Sequence, residues 1–203
     1  MRCLWLTLAD PDPATNGQLI YSQGLISSVR AAGVSLRVVG LARPENPRPA
    51  QDPLGIEWHL ANEQRRSPWR RLLSPVPGVA QRGNAPNLMR LVDEALADRK
   101  WDAVVFDSIC SGWALGRVLR HCRRSRQRPR LVYLAHNHEI TAARHIADRA
   151  SGLRRILKEL DCAKVLRLER RLIAAADIIT ADAPDDCRRF SAAARWHRWR
   201  GTR

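Results

Sequence analysis

His136 is the residue of this chain best placed to do chemistry. It follows an apolar run, Arg130 to Ala135 (RLVYLA), and opens the polar cluster His136-Asn137-His138-Glu139. An imidazole at a strand end can donate to a hydroxyl or relieve an acceptor O–H of its proton. Asn137 and Glu139 are the neighbours that would orient it. The competing use of the same ring is an ordinary set of hydrogen bonds capping a strand. A second polar group follows the first apolar run. Ala9 to Gly17 (ADPDPATNG) holds two prolines, a glycine and two aspartates, so it forms no regular element, and it ends in Asn16-Gly17 directly ahead of a helical pattern. Thr180 closes a short apolar run, Asp177 to Thr180 (DIIT).

Other chemistries find less support. His136, His138 and His145 complete no zinc-ligand pattern, and an i, i+2 pair would face opposite sides of a continuing strand, so no metal site is expected. The five cysteines, at 3, 110, 122, 162 and 187, are odd in number and never form a C-x-x-C pair. That excludes a disulfide framework or zinc knuckle and suits a reducing, cytoplasmic setting. No G-x-G-x-x-G follows the first apolar run, which disfavours a nicotinamide dehydrogenase.

The elements that must position these residues read as alternating strands and helices. Arg2 to Leu8 is a strand, Gln18 to Ala32 a helix stopped by Gly33, and Ser35 to Leu41 a second strand. Gly55 to Leu60 is a short strand. Residues 61–85, rich in Arg, Pro and Gly, read as a long, mobile loop excursion. A helix is predicted from Pro86 to about Arg99, a buried strand over Trp101 to Asp107 (WDAVVFD), a helix from Ser111 to about Arg123, and a strand over Arg130 to Ala135. Ser151 to Ala176 is one long helix or a broken pair, with an apolar stripe that should be spent on the sheet and Arg and Lys on the other face. Asp182 to Asp186 resembles a helix start. This alternation predicts an α/β fold with a single doubly wound parallel sheet flanked by helices, whose ligands bind at the carboxyl ends of the strands.

The formal net charge is +15, and it is blocky. Arg117 to Arg130 holds seven arginines and Arg188 to Arg203 six, with no acid in either block. No stretch approaches the roughly 18 apolar residues of a membrane span.

Four features stand in one order: the Pro- and Gly-bearing loop after the first strand, the WDAVVFD strand, the strand ending in His136-Asn137, and the run LERRLIAAADIIT. In that order and spacing the chain resembles, over about Arg2 to Phe190, the N-terminal domain of the two-Rossmann-domain (GT-B fold) family 4 glycosyltransferases, which transfer sugars from nucleotide sugars. The resemblance implies a Rossmann-like acceptor-side domain over residues 1–190 and a basic, disordered tail over 191–203. The family's first loop carries a glycine pair that lets backbone N–H groups approach a phosphate or acceptor at a helix start; here the pair is Asn16-Gly17. An ordinary turn is the alternative at that point. His136 matches the family histidine that contacts the transferred sugar or the acceptor, with Asn137 and Glu139 beside it. Thr180 falls where a small hydroxyl residue ends a strand near the cleft.

The resemblance also implies what should be missing. The family's second domain binds the nucleotide sugar through basic groups and a pair of glutamates eight positions apart, and no two glutamates here have that spacing. The expectation is a chain truncated before its donor domain, inactive in sugar transfer by itself. No cofactor is implied, because the nucleotide sugar is a substrate; the acceptor would be a glycan, lipid or small molecule. The basic, leucine-striped Ser151–Ala176 segment is compatible with peripheral contact with anionic lipid at the inner face of the membrane. The alternative from another class is a basic nucleic-acid-binding protein, gripping phosphates with its Arg blocks and stacking bases on its Trp-rich tail. No helix-turn-helix, RNA-recognition or zinc signature accompanies that alternative.

Overall fold

The apolar runs of the strands serve two faces at once. Leu4 and Leu6 point to one side of the first strand and Cys3 and Trp5 to the other, and all four are buried. Such a pattern fits a parallel sheet covered on both sides. The computed structural model describes residues 1–49, 52–64, 74–136 and 139–181. Its strands are β1 (Arg2–Ala9), β2 (Ser35–Leu41), β3 (Glu57–Ala61), β4 (Ala103–Asp107), β5 (Arg130–Ala135) and β6 (Ile178–Ala181). They form one all-parallel sheet in the order β3-β2-β1-β4-β5-β6. The expected α/β, Rossmann-like doubly wound fold is therefore present, with its topological switch point between β1 and β4.

The helices are α1 (Gly17–Ala31), α2 (Pro86–Asp98), α3 (Leu115–Arg124), α4 (Glu139–Asp148) and α5 (Gly152–Ala175). The larger core packs α2, α3 and the C-terminal half of α5 on the face of Leu4, Val104, Phe106 and Tyr133. The smaller core packs α1, through Ile26, Leu25 and Val29, on the face of Trp5, Val38 and Val105. Gly33 ends α1 as expected: its φ of 81° is left-handed, and its N–H donates to Arg30 O.

Three expectations need correction, and one element is additional. The helix predicted from Ser111 begins as a 3₁₀ segment over Ile109–Ala114 and becomes α-helical only at Leu115. Helix α4 was not anticipated. Residues 74–85 are not a detached excursion: Ala80 and Ala85 are fully buried in the larger core, and Gly83 lies so close to Trp113 that a Cβ there would come within 2.0 Å of Nε1. Finally, the apolar residues expected to form one sheet-facing stripe along Ser151–Ala176 divide between two faces, and only one of these is spent on the sheet. Helix α5 is continuous over 24 residues, with Val165, Leu168, Leu172 and Ile173 buried while Leu153, Ile156, Leu157 and Leu160 are exposed. The helix start at Asp182 to Asp186 and the tail over 191–203 lie outside the described residues.

Candidate functional site

The carboxyl ends of β1, β4 and β5 converge with the first turns of α1. Asp107 is the last residue of β4, and His136 directly follows β5. Both are buried, and His136 Nε2 lies 2.7 Å from Asp107 Oδ1. Two further donors meet the same carboxylate. Ser22 Oγ donates to Oδ1 and Trp5 Nε1 donates to Oδ2, each at 3.0 Å. An indole N–H can only donate, so Oδ2 is an acceptor. Facing an ionised Asp107, the His136 ring would carry a proton on Nε2, which in a neutral ring leaves the acceptor at Nδ1. The Tyr21 ring meets the imidazole edge-on, 5.2 Å between centroids and 86° between planes.

Helix α1 supplies these contacts because Gln18, Tyr21 and Ser22 share one face at i, i+3 and i+4 spacing. Gln18 Nε2 donates to Ser108 Oγ at 3.1 Å. Ser108 occupies φ 62°, ψ 173°, a region that belongs almost entirely to glycine and costs of order 1–3 kcal/mol for other residues. The conformation is held from four sides. Ser108 N donates to Leu134 O, its Oγ accepts from Cys110 N and Gln18 Nε2, and its carbonyl accepts from Ser111 Oγ. Strain so thoroughly braced at the switch point marks a built feature, one residue from the histidine's anchor.

The loop after β1 is equally fixed. Asp10 is fully buried and accepts two bonds from Arg48, at 2.7 and 2.6 Å, as well as the Asp12 N–H. Arg48 stacks 4.0 Å over the Trp58 ring. Burial works to lower the Arg48 pKa, but its bond to Asp10 and the charges of Asp10, Asp12 and Asp52 raise it above its ordinary value. Arg43 ties the loop again by donating to Pro13 O.

The residues singled out from the sequence fare differently. Asn16 is the N-cap of α1, extended at φ −148°, and its Oδ1 accepts from Leu19 N at 3.0 Å. Its identity is explained by capping rather than by left-handed geometry. Gly17 starts the helix, and a Cβ there would meet nothing within 4 Å, so no close contact requires glycine. His136 is where the strand pattern placed it. Asn137 and the side chain of Glu139 lie outside the described residues; the Glu139 backbone opens α4. Thr180 is half-buried within β6, opposite Leu134, and among the described residues no hydrogen bond joins it to His136. Asp107, Ser108, Ser22 and Gln18 were missed. Only Asp107 left a trace in the sequence, as a carboxylate ending an otherwise apolar strand.

Among the described residues no group of three His, Cys, Asp or Glu is arranged to hold a metal ion. An open groove of about 500 Å³, lined by Ala163, Leu166, Arg167, Arg170, Arg171 and Ala174, lies along α5. None of its lining residues belongs to the strand-end site. No described helix is long and apolar enough to cross a membrane. No family model matches the chain, and no curated protein matches it in sequence.

Proposed function

We propose that this domain forms the acceptor-side wall of a sugar transferase using a nucleotide-sugar donor. The observation that carries the reading is the His136–Asp107 pair, set at the carboxyl edge of a 3-2-1-4-5-6 parallel sheet beside the start of α1. Asp107 orients the ring and holds the proton on Nε2. Nδ1 is buried here, so an acceptor hydroxyl meets it, as base or hydrogen-bond partner, only where the strand-end site opens to admit it. The first turn of α1, capped by Asn16 and left open by Gly17, supplies backbone N–H groups and the positive end of a helix dipole nearby. Transfer requires donor and acceptor to be fixed together, and the donor pocket in this reading belongs to a second domain. The setting we propose is the cytoplasm.

The test is equilibrium binding to the purified chain. The panel holds UDP-, GDP- and ADP-linked sugars, short glycans, glycolipids and small hydroxylic acceptors. The reading expects at least one acceptor to bind and His136→Ala to weaken it tenfold or more, with no transfer by the chain alone. Binding of no panel member, or binding indifferent to His136, contradicts the reading. Robust transfer by the chain alone contradicts the assignment of the donor pocket to another domain.

A further inference from the structure

One side of α5 carries a row of two chemistries, exposed except at the half-buried Lys164. Leu153, Leu157, Leu160, Lys164, Arg167 and Arg171 follow at steps of four, three, four, three and four, which keeps them in line along an α-helix. At 3.6 residues per turn this row lies about a third of a turn from the residues that dock on the core, Val165, Leu168 and Leu172. The first half of the row is therefore not a continuation of the buried stripe. Leu153 is 72% exposed and Leu160 55%, and Ile156 beside them is 55%. The second half runs into the groove that Arg167, Arg170 and Arg171 line. These three arginines are exposed and make no ion pair among the described residues.

We infer that this face of α5 docks on an anionic lipid bilayer, with its leucines at the acyl boundary and its arginines on headgroup phosphates. Aliphatic side chains followed in line by guanidinium groups match the depth profile of such a surface for a helix tilted so that its N-terminal end sits deeper. The row spans roughly 27 Å at 1.5 Å per residue, and its one-sided apolar content suits lying on a membrane rather than crossing one. Two other occupants fit less well. Residues 144–171 hold nine Lys and Arg against four Asp and Glu, so two copies of the face would repel. A nucleic acid would satisfy the arginines, yet it uses aromatic platforms for its bases and offers nothing to four exposed aliphatic side chains. The inference is independent of the sugar-transfer reading, since it uses no residue of the strand-end site.

The experiment is co-sedimentation of the full chain with vesicles of phosphatidylcholine alone or with about one-third phosphatidylglycerol, a proportion that gives a substantial negative surface potential. Binding should be at least tenfold tighter to the anionic vesicles. Leu157→Glu/Leu160→Glu and Arg167→Glu/Arg171→Glu should each weaken it tenfold or more, with unchanged circular dichroism and melting, because all four positions face solvent. Arg120→Glu/Arg123→Glu/Arg126→Glu, in the other arginine block, should bind like the parent. Equal binding to both vesicle types overturns the inference. So does retention by the α5 variants, or loss confined to the other block, which would reduce the effect to bulk basicity. Concentration-dependent dimerisation abolished by Leu157→Glu/Leu160→Glu would reassign the face to a second copy, and RNA binding abolished by Arg167→Glu/Arg171→Glu would reassign it to nucleic acid.

Discussion

Asp107→Asn tests whether one carboxylate organises the strand-end site. The substitution keeps shape and volume but replaces an acceptor oxygen by an NH2 group. Two donors, Trp5 Nε1 and Ser22 Oγ, converge on Asp107 together with His136 Nε2, the third donor in this reading. If the amide oxygen faces Ser22 and His136, its NH2 faces the Trp5 indole N–H at the 3.0 Å now spanned by a hydrogen bond. Ser22 can rotate its hydroxyl, whereas the indole has no acceptor to offer. Loss of a bond to a charged group costs about 1.5–3 kcal/mol, and the buried N–H left without a partner sets the upper part of that range. For a chain of this size 1 kcal/mol lowers the melting temperature by about 2–4 °C, so the expected drop is roughly 3–12 °C. Urea unfolding followed by circular dichroism measures the free energy directly. Trp5→Phe removes the conflicting donor, so the double variant Trp5→Phe/Asp107→Asn should lose clearly less than the sum of the two single losses, with a coupling of about 1 kcal/mol or more. An Asp107→Asn protein within 0.5 kcal/mol of the parent, or strict additivity in the cycle, would refute the reasoning.

Packing, acid stability and thiol reactivity give further checks. Gly83→Ala forces a Cβ against the Trp113 indole and should destabilise by about 1–3 kcal/mol, as overpacking does. Gly116→Ala, at an exposed position in the first turn of α3 with nothing within 4 Å, should instead stabilise by about 0.4–1 kcal/mol, and urea unfolding separates the two. Burial pushes the Glu57 carboxyl up, but its bonds to Arg37 and Arg99 outweigh that and hold it below its ordinary value; hydrogen bonds from Arg99 and Arg37 do the same for Asp98. Folded pKa values below the unfolded ones mean the stabilisation is complete above the ordinary carboxylate range, about pH 4, and is lost as pH falls through the folded values. Glu57→Gln should therefore flatten the acid limb of stability against pH; an unchanged limb contradicts it. Burial raises the Cys3 thiol to about 12, so in the native protein at pH 8 iodoacetamide should modify the half-buried Cys162 well before Cys3. Equal labelling by mass spectrometry would contradict this.

How far the sequence carries depends on whether a feature is local. The strands were legible because RLVYLA and WDAVVFD are apolar on both faces and bounded by turn formers, and Gly33 announced the end of α1. The α/β alternation then implied the sheet. Strand order was not legible, because it rests on pairings as distant as Cys3 with Ala103. Helix α4 escaped because Glu139–Asp148 carries Ala, Arg and His without a clear stripe and follows the polar cluster directly. Ala80 and Ala85 are too small to signal burial amid prolines and arginines, yet the core closes over them. In α5 periodicity revealed a stripe but not which face meets the protein; the leucines at 153–160 and the buried Glu169 both defeat a simple reading of apolar inside and polar outside. At the site, His136 was readable from type and position. Its partner Asp107 lies on another strand, and Ser22 and Gln18 reach it only because α1 folds back over the strand ends.

The most direct measurement of the central claim is the side-chain nitrogen spectrum of His136, without ligand and with the tightest-binding acceptor of the panel. Asp107 accepting from Nε2 predicts the Nε2-protonated tautomer in the ligand-free chain and a response centred on Nδ1 when an acceptor hydroxyl arrives. An Nδ1-protonated ring, or an imidazole spectrum unchanged while the acceptor binds, would contradict the assignment of His136 to the acceptor site.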